Sequence, residues 1–339
     1  MSDRVAELLA PEALEPFLDE HGLGSGPIEA RRIGEGASNL TYLVEREGAR
    51  VVVRRPPPPP LPPSAHDMVR EARIQLAVAR GGVRVPRVLA VCEDDSVLGV
   101  PFYVMEELEG TVVGDELPEA LDVLEQRERL GRELVDALVE LHAVDWRACG
   151  LEGLGRPSGY LERQLRRWSG LWENNATREV PAFHEVGERL RAGLPESPPA
   201  TIVHGDYRLG NVMVADDAPA RIIAILDWEM ATIGDPLADL GYLTATWSEP
   251  GATEHPLLMA PVTTRPGFLT RADLVEHYAQ RTGRDTGALP WYEALALWKA
   301  AVFCEAIYGR YRKGERDDRW AAALEEGVPR LVEVAGATL

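Results

Sequence analysis

The chain has 339 residues, of which 45% are hydrophobic and 27% charged, and its formal net charge is −19. This balance is typical of a soluble globular protein with a large core, and it argues against binding to a nucleic-acid backbone, which needs an excess of Lys and Arg. The acidic N-terminal segment has no apolar core of a secretory signal, and no apolar run approaches the length of a membrane span.

The three cysteines are Cys92, Cys149 and Cys304. They are far apart and show no C-x-x-C spacing, so the sequence suggests neither a zinc site nor a disulfide framework. We expect buried thiols in a reducing cytoplasm and therefore a cytoplasmic protein.

The first hundred residues predict a helical cap followed by an antiparallel sheet. Apolar residues at helical spacing predict one amphipathic helix over 3–21, and a glycine-rich linker follows at 22–26. Five strands are predicted at Ile28–Ile33, Leu40–Glu45, Arg50–Arg54, Arg87–Cys92 and Pro101–Met105, with a helix at Asp67–Arg80. The proline-rich tract Pro56–Pro63 is predicted to be a stiff extended connector.

A glycine turn joins the first two predicted strands. Gly34 and Gly36 lie in it, with Ser38 just after them. In a Rossmann unit such glycines open a helix, but here a strand continues, and a strand, glycine turn and strand is how kinases cover nucleotide phosphates. A simple hairpin turn is the alternative.

The rest of the chain is predicted to be mainly helical. Leucines spaced by three and four residues predict a buried helix over Glu125–His142. Further helices are predicted as a pair within 159–192 and at about 270–282, 290–312 and 317–336.

One polar block interrupts the helices, from Ile202 to Tyr242. Two apolar strand-like runs, Asn211–Val214 and Arg221–Leu226, frame a turn, and Asp227 ends the second run. This layout predicts a hairpin with Asp206, Asn211 and Asp227 on one side of its open end. A carboxylate that accepts a proton, with an amide and a second carboxylate that hold a hard cation, are what phosphoryl transfer from a magnesium nucleotide needs.

The spacing of the block carries a family resemblance. His204-Gly205-Asp206, Asn211 five positions after Asp206, Asp227 after one hairpin and the segment Gly234–Leu243 resemble the aminoglycoside phosphotransferase branch of the kinase-like fold. The similarity is closer to the kinase-like domains linked to acyl-CoA dehydrogenases, and it covers about residues 28 to 310.

The resemblance implies an α+β, bilobal protein-kinase-like fold. Its N-lobe would have a five-stranded antiparallel sheet plus a helix, and its C-lobe would be helical with a small catalytic hairpin. The implied domains are a cap at 1–26, a nucleotide-binding N-lobe at 27–108 and a catalytic and substrate-binding C-lobe at 109–339.

The resemblance also implies roles for the block. Asp206 would be the base that accepts the hydroxyl proton, and Arg208 would neutralise charge on the transferring group. Asn211 and Asp227 would hold Mg²⁺. His204 would support the loop, and Asp239 would accept hydrogen bonds from its backbone.

Nucleotide-binding residues carry over to the first lobe. Gly34, Gly36 and Ser38 would cover the phosphates. Arg54 stands where kinases carry a Lys, and Glu71 would be its ion-pair partner. Met105, Glu106 and Leu108 match the kinase hinge that binds adenine.

The acceptor site is the least defined part. Trp298, Glu305 and Tyr308 share one face of a predicted helix and would line the acceptor, although a core helix is an equally good interpretation. The sequence thus predicts a small-molecule O-phosphotransferase that uses ATP or GTP and Mg²⁺, without nucleic-acid or membrane partners. A nucleotide-binding pseudokinase is the alternative, and the short segment after Asp227 disfavours a protein kinase.

Overall fold

The computed structural model describes residues 3–34, 39–58 and 66–339. The chain forms two compact units. The first contains the described residues of Met1–Glu109 together with the short segment Ala224–Glu229, and the second contains Gly110–Ile223 and Met230–Leu339. In the described part of the chain, no helix has the length and apolar character needed to cross a bilayer.

The first unit is built on a five-stranded antiparallel sheet, which confirms the prediction. Its elements are α1 (Asp3–Leu9), α2 (Pro11–Glu20), β1 (Ser25–Ile33), β2 (Leu40–Glu47), β3 (Ala49–Arg55), α3 (Met68–Arg80), β4 (Val88–Cys92), α4 (Asp95–Leu98) and β5 (Phe102–Glu106). The strands lie in the order β1-β2-β3-β5-β4, and each neighbouring pair is antiparallel.

The sheet has a separate apolar layer on each face. Val51 and Val53 of β3 pack with α2, whereas Val52 between them packs with α3 on the other face. This alternation follows from the two-residue period of a strand. Because both faces of β3 are covered, Arg54 at its end is largely buried, with 13% of its side chain exposed.

The single helix predicted over residues 3–21 is wrong, because the structure has two helices. Ala10 separates α1 from α2 and has a φ of 39° in the left-handed region. The cause is Pro11, whose ring disfavours the right-handed helical conformation at the preceding residue. The apolar spacing continues across the break, so Leu9, Leu14 and Leu18 still pack in one core.

The second unit is mainly helical, as predicted. Its elements are β6 (Thr111–Val112), α5 (Leu124–Ala143), α6 (Tyr160–Asn175), α7 (Pro181–Ala192), β7 (Thr201–Val203), β8 (Val212–Val214), β9 (Ile222–Ile225, whose last two residues belong to the first unit), β10 (Thr232–Gly234), α8 (Leu237–Thr246), α9 (Arg271–Thr282), α10 (Leu289–Arg312) and α11 (Arg319–Thr338). The four predicted leucines of α5 are fully buried. Helix α10 packs against α6, α7, α8 and α11.

Two small sheets frame the polar block. β7 pairs with β10, and β8 lies between β6 and β9. The loop 204–211 therefore leaves the two-stranded sheet and enters the three-stranded one, so both of its ends are fixed by backbone hydrogen bonds.

Candidate active site

The loop 204–211 is held from below by a buried carboxylate. Asp239, in the first turn of α8, accepts hydrogen bonds from the backbone N–H groups of His204 at 2.7 Å and Gly205 at 2.8 Å. Gly205 has a φ of 85°, and a Cβ there would lie 2.8 Å from the carbonyl oxygen of Met230. Only glycine fits this turn, which places Asp206 after it.

Asn211 ties the far end of the loop to Asp206. Its Nδ2 donates to the backbone oxygen of Asp206 at 2.8 Å and to the carboxylate Oδ2 of Asp206 at 2.6 Å. These two bonds fix the orientation of the amide, and no described residue donates to its Oδ1. The carbonyl oxygen of Asn211 is therefore directed away from Asp206.

Arg208 lies beside the same carboxylate. Its Nε is 3.6 Å from Oδ1 of Asp206, and in the described part of the chain this nitrogen is buried without a hydrogen-bond partner. A side chain at Gly210 would collide with the end of the Arg208 guanidinium, so the glycine makes room for it. The cation is available to an anion near Asp206.

Tyr242 is a partner of Asp206 that the sequence analysis missed. Its hydroxyl hydrogen-bonds the Asp206 carboxylate. Burial, and after it the charge of Asp206, hold the pKa of Tyr242 well above its usual range, so the phenol stays a donor. Its place on α8, three residues after Asp239, is the sequence signal that could have found it.

His142 is a second missed support. This buried residue contacts the Tyr278 hydroxyl at 2.7 Å through Nδ1 and Oδ2 of Asp239 at 3.2 Å through Nε2. Burial lowers the pKa of His142 despite the opposing pull of Asp239. The sequence analysis gave it only as the last residue of a predicted helix. In the structure His142 contacts Asp239, which in turn binds the backbone of the loop.

The first unit contains a cluster of charges around Arg54. Its Nε lies 2.9 Å from Oε1 of Glu71, the pair that the sequence predicts, and its Nη2 lies 2.6 Å from Oδ1 of Asp227. The Tyr103 hydroxyl donates to Oε1 of Glu71 at 3.2 Å. One guanidinium thus joins the carboxylate of α3 to that of Asp227.

Burial sets the protonation of this cluster. It raises the pKa of Glu71 to about 7, against the attraction of Arg54. Burial also opposes the charge of Arg54, but Glu71 and Asp227 raise its pKa above the usual value, so it stays protonated. The cluster is an ion pair whose acid is held close to its titration point.

Asp227 has an unusual backbone for a residue with a side chain. Its φ is 64°, in the left-handed region that Asp tolerates better than most residues. Two residues later, Glu229 accepts from Nδ2 of Asn39 at 3.0 Å, and its backbone oxygen accepts from Arg70 at 3.2 Å. Such strained residues cluster at functional sites, where their surroundings hold them in place.

The other nucleotide residues predicted for the first unit are partly described. Gly34 has a φ of 73°, whereas Gly36, Ser38 and the end of the proline tract at 59–63 lie outside the described residues. Met105 and Glu106 end β5. Leu108 is half-buried, and none of the described residues accepts a hydrogen bond from its N–H.

Comparison with known proteins decides the family. The model of the phosphotransferase enzyme family matches residues 29–295. The chain belongs to this phosphotransferase family. The match confirms the predicted enzyme class and the resemblance read from the polar block.

Three further similarities place the phosphotransferase among known proteins. It is 32% identical to acyl-CoA dehydrogenase family member 10 of Mus musculus, over 96% of this chain but 30% of that relative's length. A solved structure from Ralstonia eutropha, described as a candidate aminoglycoside phosphotransferase, is 30% identical, with 96% of this chain and 97% of that one covered and a TM-score of 0.80. Spectinomycin phosphotransferase, solved with ADP and spectinomycin, shares the fold at 14% identity, 97% and 98% coverage and a TM-score of 0.60.

The predicted acceptor-wall residues of the phosphotransferase lie in its core. Trp298 stacks on Phe183 at 4.7 Å and donates to its backbone oxygen. Glu305, fully buried, accepts from Thr177 and pairs with Arg178, which in turn lies over the Tyr308 ring. All three side chains serve packing between helices, so the core-helix interpretation is the one the structure shows.

The side-chain oxygens of Asn211 and Asp227 are suitable ligands for a hard cation, because Mg²⁺ prefers carboxylate and amide oxygens. Asn211 uses Nδ2 for its hydrogen bonds, and no described residue donates a hydrogen bond to its Oδ1. Asp206 and Asn211 lie in the second unit and Asp227 in the first. Their predicted convergence on one side of the hairpin therefore stays a prediction, as does the metal role of Asp227.

Proposed function

We propose that the chain transfers the γ-phosphoryl group of a nucleoside triphosphate to a hydroxyl of a small molecule. The observation that carries this proposal is the position of Asp206. Its carboxylate is 2.6 Å from the Asn211 amide and 3.6 Å from Arg208, on a loop whose backbone is bound by buried Asp239. Such a fixed carboxylate beside an amide and a cation is the arrangement that phosphoryl transfer needs.

In this proposal Asp206 acts as the base. The acceptor oxygen forms a bond to the γ-phosphorus while the bond from that phosphorus to the bridging oxygen breaks, and the nucleoside diphosphate leaves. The hydroxyl proton passes to the Asp206 carboxylate. Arg208 neutralises charge on the transferring group, and Tyr242 holds the carboxylate by its hydroxyl.

The remaining residues position the nucleotide. Asn211 and Asp227 would ligate Mg²⁺, which when bound neutralises phosphate charge. Arg54, held by Glu71, would contact the phosphates. The N–H of Leu108, which donates to none of the described residues, suits an adenine acceptor nitrogen. The ADP in the spectinomycin phosphotransferase structure supports a nucleotide co-substrate.

The identity of the acceptor follows from none of these contacts. Aminoglycosides, amino alcohols, sugars and hydroxyacyl-CoA thioesters each fit a hydroxyl acceptor. The chain spans less than a third of the mouse acyl-CoA dehydrogenase relative, so the name of that relative does not identify the acceptor of this chain.

The test is a nucleotide-consumption screen over these acceptors, with ATP and with GTP, in the presence and absence of magnesium. Asp206→Asn should lower turnover by about 10³-fold, because it removes the proton acceptor. Its nucleotide affinity should stay within about threefold, because the carboxylate accepts the proton and does not anchor the nucleotide.

Asp217→Asn is the matched control. Asp217 lies on the same hairpin and pairs with Arg221 on the surface, so its loss should leave turnover unchanged. Full activity of the Asp206 variant would refute its role as the base. Nucleotide binding by the wild type without turnover on any acceptor would support the pseudokinase alternative.

A further inference from the structure

The chain is very poor in lysine. Of its 36 Lys and Arg residues only two are lysines, Lys299 and Lys313. Lys313 follows the end of α10 and is exposed. Lys299 lies in the middle of α10 and is half-buried.

Lys299 belongs to a group of side chains that we call the cationic wall, formed by Arg167, Trp168, Lys299 and Phe303. The Trp168 ring has Nζ of Lys299 at 5.3 Å from its centroid and Cζ of Arg167 at 5.8 Å. Phe303, one helical turn beyond Lys299, meets the same ring at 4.5 Å and is 46% exposed.

Within the part of the chain that the structure describes, neither cation of the wall has an anionic partner. Among the described residues, no carboxylate lies within ion-pair distance of Lys299 or Arg167, and neither side chain makes a hydrogen bond. Arg167 is exposed, whereas the more buried Arg54 and Arg178 are paired with carboxylates. The wall is thus a positive, partly apolar surface within a chain of net charge −19.

The wall includes residues of a helix that packs against the support of the catalytic loop. Helix α10 carries Lys299 and Phe303 and packs against α8, which carries Asp239 and Tyr242. Asp239 binds the backbone of the loop, and Tyr242 hydrogen-bonds Asp206. The Lys299 ammonium is thus on the helix next to the one that holds the reacting carboxylate, and the charges of Asp239 and Asp206 oppose the effect of burial on its pKa.

The cost of this arrangement points to a ligand. Burial lowers the pKa of Lys299 to about 8, because a partly desolvated ammonium lacks a direct counter-charge. A cation held at such a cost beside an active site is a typical sign of function. A structural lysine would instead extend its amine to water or to a neighbouring acid.

We propose that Lys299, with Arg167 beside it, binds an anionic group of the acceptor, a carboxylate or a phosphate, while Asp206 receives the proton of the acceptor's hydroxyl. Phe303 contacts the apolar part between the two groups. This inference rests on the proposed phosphotransfer. It assigns the acceptor to hydroxylated anions and excludes amino alcohols, whose ammonium group would meet Lys299 and Arg167.

The kinetic test uses four matched acceptors that carry the same hydroxyl chain and end in a carboxylate, a phosphate, a neutral amide or an amine. Lys299→Met should lower kcat/KM for the anionic acceptors by about 10- to 100-fold, the value of one charge-assisted contact. It should leave the amide within about threefold. Lys299→Arg should retain most activity, and whichever anion loses more in Lys299→Met identifies the group that is bound.

Lys313→Met is the control and should match the wild type on every acceptor. An equal loss on all four acceptors would mean that Lys299 only supports the fold, and no loss on the anions would mean that it does not contact them. Either result overturns the inference. Turnover of the amide or amine alone would overturn it while leaving the proposed function intact.

A second readout does not depend on turnover. Reductive ¹³C-methylation labels the amines, and with two lysines each signal is assigned by its loss in one variant. In Asp206→Asn, adding the hydroxycarboxylate or the hydroxyalkyl phosphate should shift the Lys299 signal, raise its pKa and leave Lys313 unchanged. A Lys299 signal that does not change with either anion contradicts the proposal. If the signal does change but the wild type phosphorylates none of the acceptors, the binding site stands and only the proposed function is refuted.

Discussion

At the scale of single residues, Arg54 shows how a substitution in a motif can still give a working contact. Kinases use a Lys at this place, and a Lys offers one nitrogen. The guanidinium of Arg54 instead donates a hydrogen bond from Nη2 to Asp227 at 2.6 Å, while its Nε lies at ion-pair distance, 2.9 Å, from Glu71. One side chain thus neutralises two carboxylates.

Replacing Arg54 should therefore reduce both stability and nucleotide affinity. Arg54→Met leaves Glu71 buried without a counter-charge and should lower the free energy of unfolding by about 3 kcal/mol. Arg54→Lys should lower it less, since it keeps the charge. Urea unfolding and nucleotide titration of the variants measure the two effects.

Arg50→Met is the control for this prediction. Arg50 is on the same strand, and its side chain is 57% exposed where it pairs with Glu107. Loss of that surface pair should cost less than about 1 kcal/mol. Equal losses of unfolding free energy in Arg50→Met and Arg54→Met would show that the buried cluster stabilises the protein no more than a surface ion pair does.

The sequence predicted contacts that one motif or one pair of neighbouring elements defines. Glu71 was assigned to Arg54 because kinases pair the same strand with the same helix. The roles of Tyr242, His142 and Lys299 were missed, because each depends on how helices pack. Lys299 meets Trp168 from a position 131 residues further along the chain, and no local pattern encodes that contact.

At the scale of elements, α8 carries the supports of the catalytic loop. Asp239 and Tyr242 lie on it, and Gly241 between them faces α10. A Cβ at Gly241 would lie 2.6 Å from Cβ and 2.8 Å from the backbone carbon of Tyr292. The glycine thus permits the close approach of the two helices, and no side chain can move aside to make room.

Gly241→Ala should separate these helices. We expect a loss of about 1 to 3 kcal/mol in the free energy of unfolding, as for other overpacked cores, together with lower turnover because Asp239 and Tyr242 move. Thermal unfolding and steady-state kinetics measure the two effects.

Gly170→Ala is the matched control, because Gly170 is exposed in α6 with nothing within 4 Å of its added Cβ. It should raise stability by about 0.5 to 1 kcal/mol, since alanine restricts the unfolded chain. If both substitutions stabilise the protein, close packing of α8 on α10 is not needed.

Helix positions were predictable because their apolar periods are long, as the four buried leucines of α5 show. The break at Ala10 required attention to Pro11 rather than to the period. β7 and β10 have three residues each, too few for any period to be recognised, and their pairing is set only by tertiary contacts.

At the scale of the whole molecule, the fold class followed from one block of about forty residues. The spacing of Asp206, Asn211 and Asp227 specified a family, and the family specified the five-stranded sheet and the helical second unit. The acceptor could not be inferred in this way, because the residues that face it lie on helices whose sequences carry no motif. The net charge of −19 describes the whole chain and does not show the local positive charge of the cationic wall.

Buried histidines should make the stability of the second unit depend on pH. His255 is 9% exposed, and its Nδ1 is buried with no hydrogen-bond partner among the described residues. Burial, followed by the charges of Arg271 and Arg330, lowers its pKa from 6.5 to about 4. Below pH 6.5 the imidazole of His255 is protonated in the unfolded chain but stays neutral in the folded chain. The free energy of unfolding therefore decreases as the pH is lowered from 6.5 to about 4, where the loss is complete.

His255 should thus remove about 2 kcal/mol of stability between pH 7 and pH 5. Urea unfolding at the two pH values measures the loss, followed by tryptophan fluorescence, since seven of the eight tryptophans lie in the second unit. His255→Gln should shrink the difference by that amount, whereas exposed His184→Gln should keep it. An unchanged difference in His255→Gln would place the acid sensitivity elsewhere, and His142, whose pKa burial also lowers, would then be the next residue to replace.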